Sequence, residues 1–299
     1  MKDLFSNTSE NCSLMYKKMR DEAETDSLAN EGRKHCEEFW EIYEPSADTQ
    51  FLSDFSDPNV EKLHARWFEM YLAVALIKKG LPVCRKRRNK GPDILLEMED
   101  HRIWIEATCA TRGDNTSPDY VPEPPIGQCN KLDIEKYVLR ITSSLYDKQK
   151  KFKEYLDKGY VKKEDKLVIA INFNLLGEVL ADNYNLFLRA LYRVGDPVIQ
   201  INTTTNEATR DYITANKIPK DSGCDVKLGY FSNGSMPCIS AALSFAENLL
   251  PYSSRKGESC VTYPNLTSEN KWKEGSIPMG IEWLSEEIED GWSLTKKEY

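Results

Sequence analysis

Residues 87–111 read RRNKGPDILLEMEDHRIWIEATCAT, and the fold turns on this stretch. DILLEM and RIWIEATCA are short runs rich in aliphatic and β-branched residues, with Glu99-Asp100 between them. They read as two strands joined by a tight turn. Side chains alternate along a strand, so Ile103, Ile105 and Ala107 face one way and Arg102, Trp104, Glu106 and Thr108 the other. Asp93 opens the first strand directly behind Pro92, and pairing of the two strands brings it near Glu106. Two carboxylates held close repel each other, and a cation is the usual compensation. Oxygen ligands of this kind suit Mg²⁺ or Mn²⁺.

Upstream, SDPNVEKL starts a helix in which Asp57 can cap and Pro58 suits the first turn. Val60, Leu63, Trp67, Met70, Val74 and Ile77 recur at three- and four-residue steps, Gly80 ends the helix, and Pro82 guards the exit. Glu69 stands among Ala65, Leu72, Ala73 and Leu76, so this helix is apolar on nearly every side except there. A buried carboxylate is costly unless paired. Either Arg66 one turn back is its partner, or it points at the same cation as Asp93 and Glu106. Next, VCRKR reads as a short strand.

Downstream, a proline-rich loop leads to a long helix over 131–158, closed by Gly159. KLVIAINF follows as a strand buried on both faces. NLFLRALYRV reads as helix and PVIQIN as strand, while CISAALSFAENLL fits a strand or a buried helix. The remaining chain is loop-rich, with Trp272, Trp283 and Trp292 as anchors. The expected class is therefore α/β: a mixed sheet flanked by helices in residues 58–299. Residues 1–57 form an acidic helical extension that packs through Phe39, Trp40 and Tyr43.

The net charge of −8 argues against a protein that coats nucleic acid over its whole surface. Charge is unevenly spread, however. Residues 21–57 carry twelve Asp and Glu against two Arg and Lys, whereas 78–90 hold seven bases and no acid, next to Asp93. The eight cysteines form no C-x-x-C pair and the three histidines complete no zinc spacing, so free thiols are expected. No run of eighteen apolar residues occurs and the first residues lack a signal-peptide core, so the expectation is a cytoplasmic protein without a membrane span. Nucleotide-binding glycine loops and a G-x-S-x-G elbow are absent from the sequence.

Glu69 on a helix, Pro92-Asp93 at the start of a strand and Glu106 on the next strand together resemble the PD-(D/E)xK phosphodiesterase superfamily, with its restriction-endonuclease-like fold. The spacing from Glu69 to the helix-ending Gly80 looks like that of the archaeal Holliday-junction resolvases. The resemblance covers roughly residues 60–110, with weaker support from the helix and strand at 131–173. It implies that Glu69, Asp93 and Glu106, with the Ala107 carbonyl, hold Mg²⁺ or Mn²⁺ to activate water for phosphodiester hydrolysis.

The chain departs from the family where a lysine is expected, because Thr108 stands there. That lysine orients water and adds positive charge in the transition state; threonine can do only the first. Three accounts are open. A lysine reaches in from elsewhere, with Lys148, Lys151 or Lys90 as candidates; the metal and Thr108 suffice; or the site is silent. Arg140, Ser144, Lys148 and Lys151 form one stripe on the long helix, which is either a solvated face or, through Lys148, the source of the substitute cation. Arg85, Lys86, Arg87, Arg88, Lys90 and Lys151 would bind backbone phosphates.

The leading expectation is thus a metal-dependent nuclease acting on DNA or RNA. The alternative is a catalytically silent member that binds nucleic acid, or a protein partner through its acidic N-terminal region. A third option is a structural protein of unrelated α/β fold, in which Glu69 simply pairs with Arg66.

Overall fold

The computed structural model describes residues 2–84, 90–117, 119–123, 133–177, 186–220, 223–250, 259–288 and 291–299. Three helices, α1 (Leu14–Asp21), α2 (Ser27–Tyr43) and α3 (Phe51–Phe55), precede the apolar helix α4 (Val60–Lys78). Leu63, Trp67, Phe68, Met70, Leu72 and Leu76 of α4 are buried all round, because α2 and α3 cover one side of the helix and the sheet covers the other. The N-cap of α4 is Asn59, whose side chain accepts from the Glu61 N–H, and not Asp57. Asp57 instead accepts from the Asn59 N–H at 2.8 Å, which leaves Pro58 outside the helix. Asn59→Ala is expected to lower stability by about 1 kcal/mol in urea denaturation, the usual loss for an N-cap.

The stretch that opened the reading forms β1 (Ile94–Glu97) and β2 (Arg102–Cys109), antiparallel, with Ile94 opposite Ile105 and Glu97 opposite Arg102. Helix α5 (Ile134–Asp157) then crosses to β3 (Lys166–Asn172), which lies parallel to β2. After α6 (Leu186–Tyr192) come two small two-stranded sheets: β4 (Val194–Ile201) with β5 (Ala208–Thr214), and β6 (Lys217–Pro219) with β7 (Asp225–Lys227). The chain then returns to the main sheet with β8 (Ala241–Phe245), β9 (Val261–Pro264), β10 (Ile281–Ile288) and β11 (Gly291–Glu298). The seven-stranded sheet runs β1-β2-β3-β8-β9-β10-β11 and is mixed: β2, β3 and β8 are parallel, as are β9 and β10, and the other pairs are antiparallel.

Alternation along β2 decides which side each residue serves. Ile103, Ile105 and Ala107 join the core under α1 to α4, and Trp104 joins the core under α5 and α6. Helices on both faces of a mixed sheet make this an α/β fold. The acidic N-terminal helices are no appendage: Tyr16, Phe39, Trp40, Tyr43, Phe51 and Phe55 belong to the same core as α4 and the sheet.

The structure departs from the expectations in several places. Of VCRKR only Val83 and Cys84 are described, with Val83 bridging Leu96; residues 85–89 lie outside the described residues, so the placing of Arg85, Lys86, Arg87 and Arg88 is not described. CISAALSFAENLL resolves as strand β8, all five residues of which are buried. The C-terminal part is not loop-rich but carries β9 and the β10–β11 hairpin. Trp272 and Trp283 pack against the two cores, whereas Trp292 is 41% exposed and anchors nothing. Residues 282–290 carry five acids and no base, which masks a strand in the sequence, yet one of those acids is structural. Glu282 is buried and accepts from Trp272 Nε1, the Gly275 N–H and the Tyr299 hydroxyl. Among the described residues no helix is long and apolar enough to cross a membrane, and the seven described cysteines are free.

Candidate functional site

Each of the three carboxylates singled out by sequence comes from a different element. Glu69 lies halfway along α4, on the side where α2 and the chain after it cover the helix. Tyr43 at the end of α2 donates its O–H to Glu69 Oε1, and Arg66 donates from Nη1 to Oε2 at 2.8 Å. Arg66 is itself held by Asp54 at 2.6 Å and Asp48 at 3.1 Å. The Arg66–Glu69 pair read from the sequence therefore exists, as part of a larger network. Burial, followed by the charge of Asp93, pushes the Glu69 carboxyl up to about 7, against the pull of Arg66 and Tyr43.

Asp93 is half-buried just ahead of β1, one step beyond the pair Ile94–Ile105, and so opposite Glu106. Its Oδ2 accepts from the Ala107 N–H at 2.8 Å, which fixes the carboxylate beside β2. Glu106 has no exposed surface. Its Oε1 accepts from Lys148 Nζ at 3.1 Å and from Lys151 Nζ, both of which arrive from α5. Its Oε2 is buried with no hydrogen-bond partner among the described residues. Burial and the Asp93 charge raise the Glu106 pKa, and the two lysines oppose them. Burial works to lower the pKa of Lys151, but the charges of Glu106 and Asp93 outweigh it and the ammonium is held above its ordinary range.

Arg66, Glu69, Asp93, Lys148 and Lys151 line a cavity of about 320 Å³, with Glu106 and Tyr43 behind its lining. Arg66 and Glu69 form one wall, residues 91–93 and Ala107 the floor, and Lys148, Lys151 and Tyr155 the opposite wall, with the exposed Lys90 at the mouth. Ser46 and Asp48, from the connection between α2 and α3, close the remaining side. Thr108 is not part of the wall, although it follows Glu106 on the same strand. The stripe on α5 is not simply solvated. Lys148 and Lys151 reach Glu106, while Arg140 donates from Nε to the Thr111 carbonyl at 2.7 Å and Ser144 to the Arg140 carbonyl at 3.1 Å.

Sequence reasoning had named Tyr43 only as a packing residue and had missed Ser46, Asp48 and Tyr155. Tyr155 sits one helical turn beyond Lys151, so extending the stripe on α5 would have found it. Ser46 and Asp48 carry no such signal, because only the packing of α2 and α3 on α4 brings them to the site.

The carboxylates are hard oxygen donors of the kind Mg²⁺ or Mn²⁺ prefers, and Glu106 Oε2 is buried without a hydrogen-bond partner among the described residues, although Glu106 itself does not line the cavity. Glu69 has both oxygens engaged by Tyr43 and Arg66. Among the described residues no group of three or more His, Cys, Asp or Glu side chains is gathered closely enough to hold an ion unaided. The positive charge that Glu106 meets here comes from Lys148 and Lys151. Comparison with protein-family models, with curated proteins and with solved structures finds no match to this chain.

Proposed function

We propose that the chain is a metal-dependent phosphodiesterase that hydrolyses nucleic acid, built on a restriction-endonuclease-like core. The observation that carries this reading is the convergence on the buried Glu106 of Lys148 and Lys151, which line the same cavity as Asp93 and Glu69. A lysine absent from the strand is thereby replaced from the neighbouring helix. Asp93 and Glu106, with the Ala107 carbonyl, would hold Mg²⁺ or Mn²⁺, which when bound activates water and offsets charge on the phosphate.

The chain's own groups do the rest. Lys148 and Lys151 present ammonium protons where the phosphate oxygens arrive. Lys90 at the mouth holds a neighbouring phosphate. The Tyr43 and Arg66 hydrogen bonds fix Glu69 beside Asp93, and near neutral pH Glu69 is poised to hold or release a proton at its carboxyl.

A second reading is favoured by the same engagement of Glu69. A carboxylate already satisfied by Tyr43 and Arg66 needs no metal, as in a silent protein that binds nucleic acid, or a basic protein partner through the exposed acids Glu31, Glu38 and Glu41 of α2. The two readings separate in one assay. Plasmid, linear duplex, single-stranded DNA and RNA are incubated with Mg²⁺, Mn²⁺ or EDTA, beside a Glu106→Gln protein. Cleavage that requires metal and disappears with Glu106→Gln is the expected result; intact substrates in every lane overturn the phosphodiesterase in favour of the silent binder.

A further inference from the structure

We infer that the site takes single-stranded nucleic acid and excludes intact duplex, with Tyr155 and Tyr160 as the stacking platform for its bases. The inference deepens the phosphodiesterase reading and rests on it for the identity of the ligand as nucleic acid. Glu69 lines the cavity and is only 6% exposed, and Asp93 beside it is half-buried, so a phosphate must enter the cavity to come near them. At about 320 Å³ the cavity is at the low end of the range for ligand pockets, room for one nucleotide and not for a double helix. Duplex DNA stays stiff over about 150 base pairs, and pushing one of its phosphates below the surface means unpairing it. A single strand bends in at no such cost.

The mouth is built for such a strand. Lys151 Nζ lies over the Tyr155 ring at 5.7 Å, and Lys90 Nζ over the Tyr160 ring at 5.9 Å. The two rings stand 6.3 Å apart, tilted by 48°. Their spacing follows from the end of α5: Gly159 takes φ +69, and the Tyr160 N–H returns to the Tyr155 carbonyl at 2.9 Å. Tyr160 is exposed at the surface, while Tyr155, Lys151 and Lys90 line the cavity. Alternating ring and ammonium is the arrangement that binds a strand without reading its sequence, since every base has a face to stack and every link a phosphate. Across the cavity the Arg66 guanidinium is already tied to Asp48, Asp54 and Glu69, so the strand is drawn along the tyrosine wall, where Lys90 stands exposed.

The test is fluorescence anisotropy in EDTA, with labelled single strands of DNA and of RNA of about twelve nucleotides and the matching duplex, at about 0.15 M salt. The single strand of at least one of the two is expected to bind at least about tenfold more tightly than duplex. Tyr160→Ala is expected to weaken that binding about tenfold and Tyr160→Phe to retain it, because the ring and not the hydroxyl is used. Tyr160→Phe keeps the ring contact with Tyr155, and an unchanged melting temperature for Tyr160→Ala separates lost binding from lost folding. Duplex bound as tightly as single strand, or Tyr160→Ala without effect, overturns the inference. Metal-dependent cleavage alongside equal duplex binding would sink this inference alone. Single-strand preference without cleavage in any metal would sink the phosphodiesterase and leave the binding site standing.

Discussion

Asp93→Asn is expected to slow metal-dependent cleavage by about 10²–10³-fold or more while leaving the melting temperature unchanged or raised. Asparagine keeps an oxygen for the Ala107 N–H, so the local geometry survives. What disappears is the charge. Asp93 raises the pKa of both Glu69 and Glu106, which means that the folded protein holds mutually repelling carboxylates. Neutralising one relieves the other two, and the relief is greatest above the pH at which they ionise. Single-turnover cleavage and thermal melting in EDTA, on the same preparation, check both halves. Loss of activity with a large fall in melting temperature would make Asp93 a structural residue. Full activity would remove it from the site.

The double variant Lys148→Met, Lys151→Met is expected to lose about 3–5 kcal/mol of stability at pH 8. It leaves Glu106 fully buried with neither ammonium on Oε1 and no partner on Oε2. The pH dependence fixes the cause. The folded pKa of Glu106 already lies above its ordinary 4.5, and removing the lysines raises it further. A carboxyl whose folded pKa is raised contributes its full stability below the unfolded value and loses it as pH rises through the folded value. The deficit should therefore be small near pH 4.5 and grow toward pH 8. Adding Glu106→Met should restore most of the loss, since an apolar side chain of similar size needs no counterion. Urea denaturation at the two pH values decides; a deficit independent of pH would mean that packing of the lysine stems, and not charge, was lost.

Local pattern carried the part of the fold that local physics controls. Ile103, Ile105 and Ala107 part from Trp104 and Glu106 because a strand alternates, and β1 meets β2 in the register that the Glu99-Asp100 turn implies. Lys148 and Lys151 were visible for the same kind of reason, as neighbours on one helix face, although their convergence on Glu106 needed the packing of α5 over β2. Two things were not legible. The β10–β11 hairpin hid behind its acids, since nothing local says that Glu282 will find three donors. The Asp290-Gly291 pair was the available turn signal. Ser46 and Asp48 reach the cavity, and Tyr43 reaches Glu69, through the packing of α2 and α3 on α4, which no spacing rule encodes.

The order of strands also has a consequence for how the chain is made. Tyr43, Arg66, Glu69, Asp93, Glu106, Lys148, Lys151 and Tyr155 all precede β3, so the site-bearing half leaves the ribosome first. The strand that covers β3 is β8, and Val168 must wait for Ala241, about seventy residues later. At about 5–20 residues per second that wait lasts roughly 4–14 seconds. Throughout it β3, an apolar strand with an unpaired edge, is open to pairing with other nascent chains. Synthesis at high ribosome density should therefore favour aggregation through β3, and slower initiation should raise the soluble yield without altering a single contact in the finished protein.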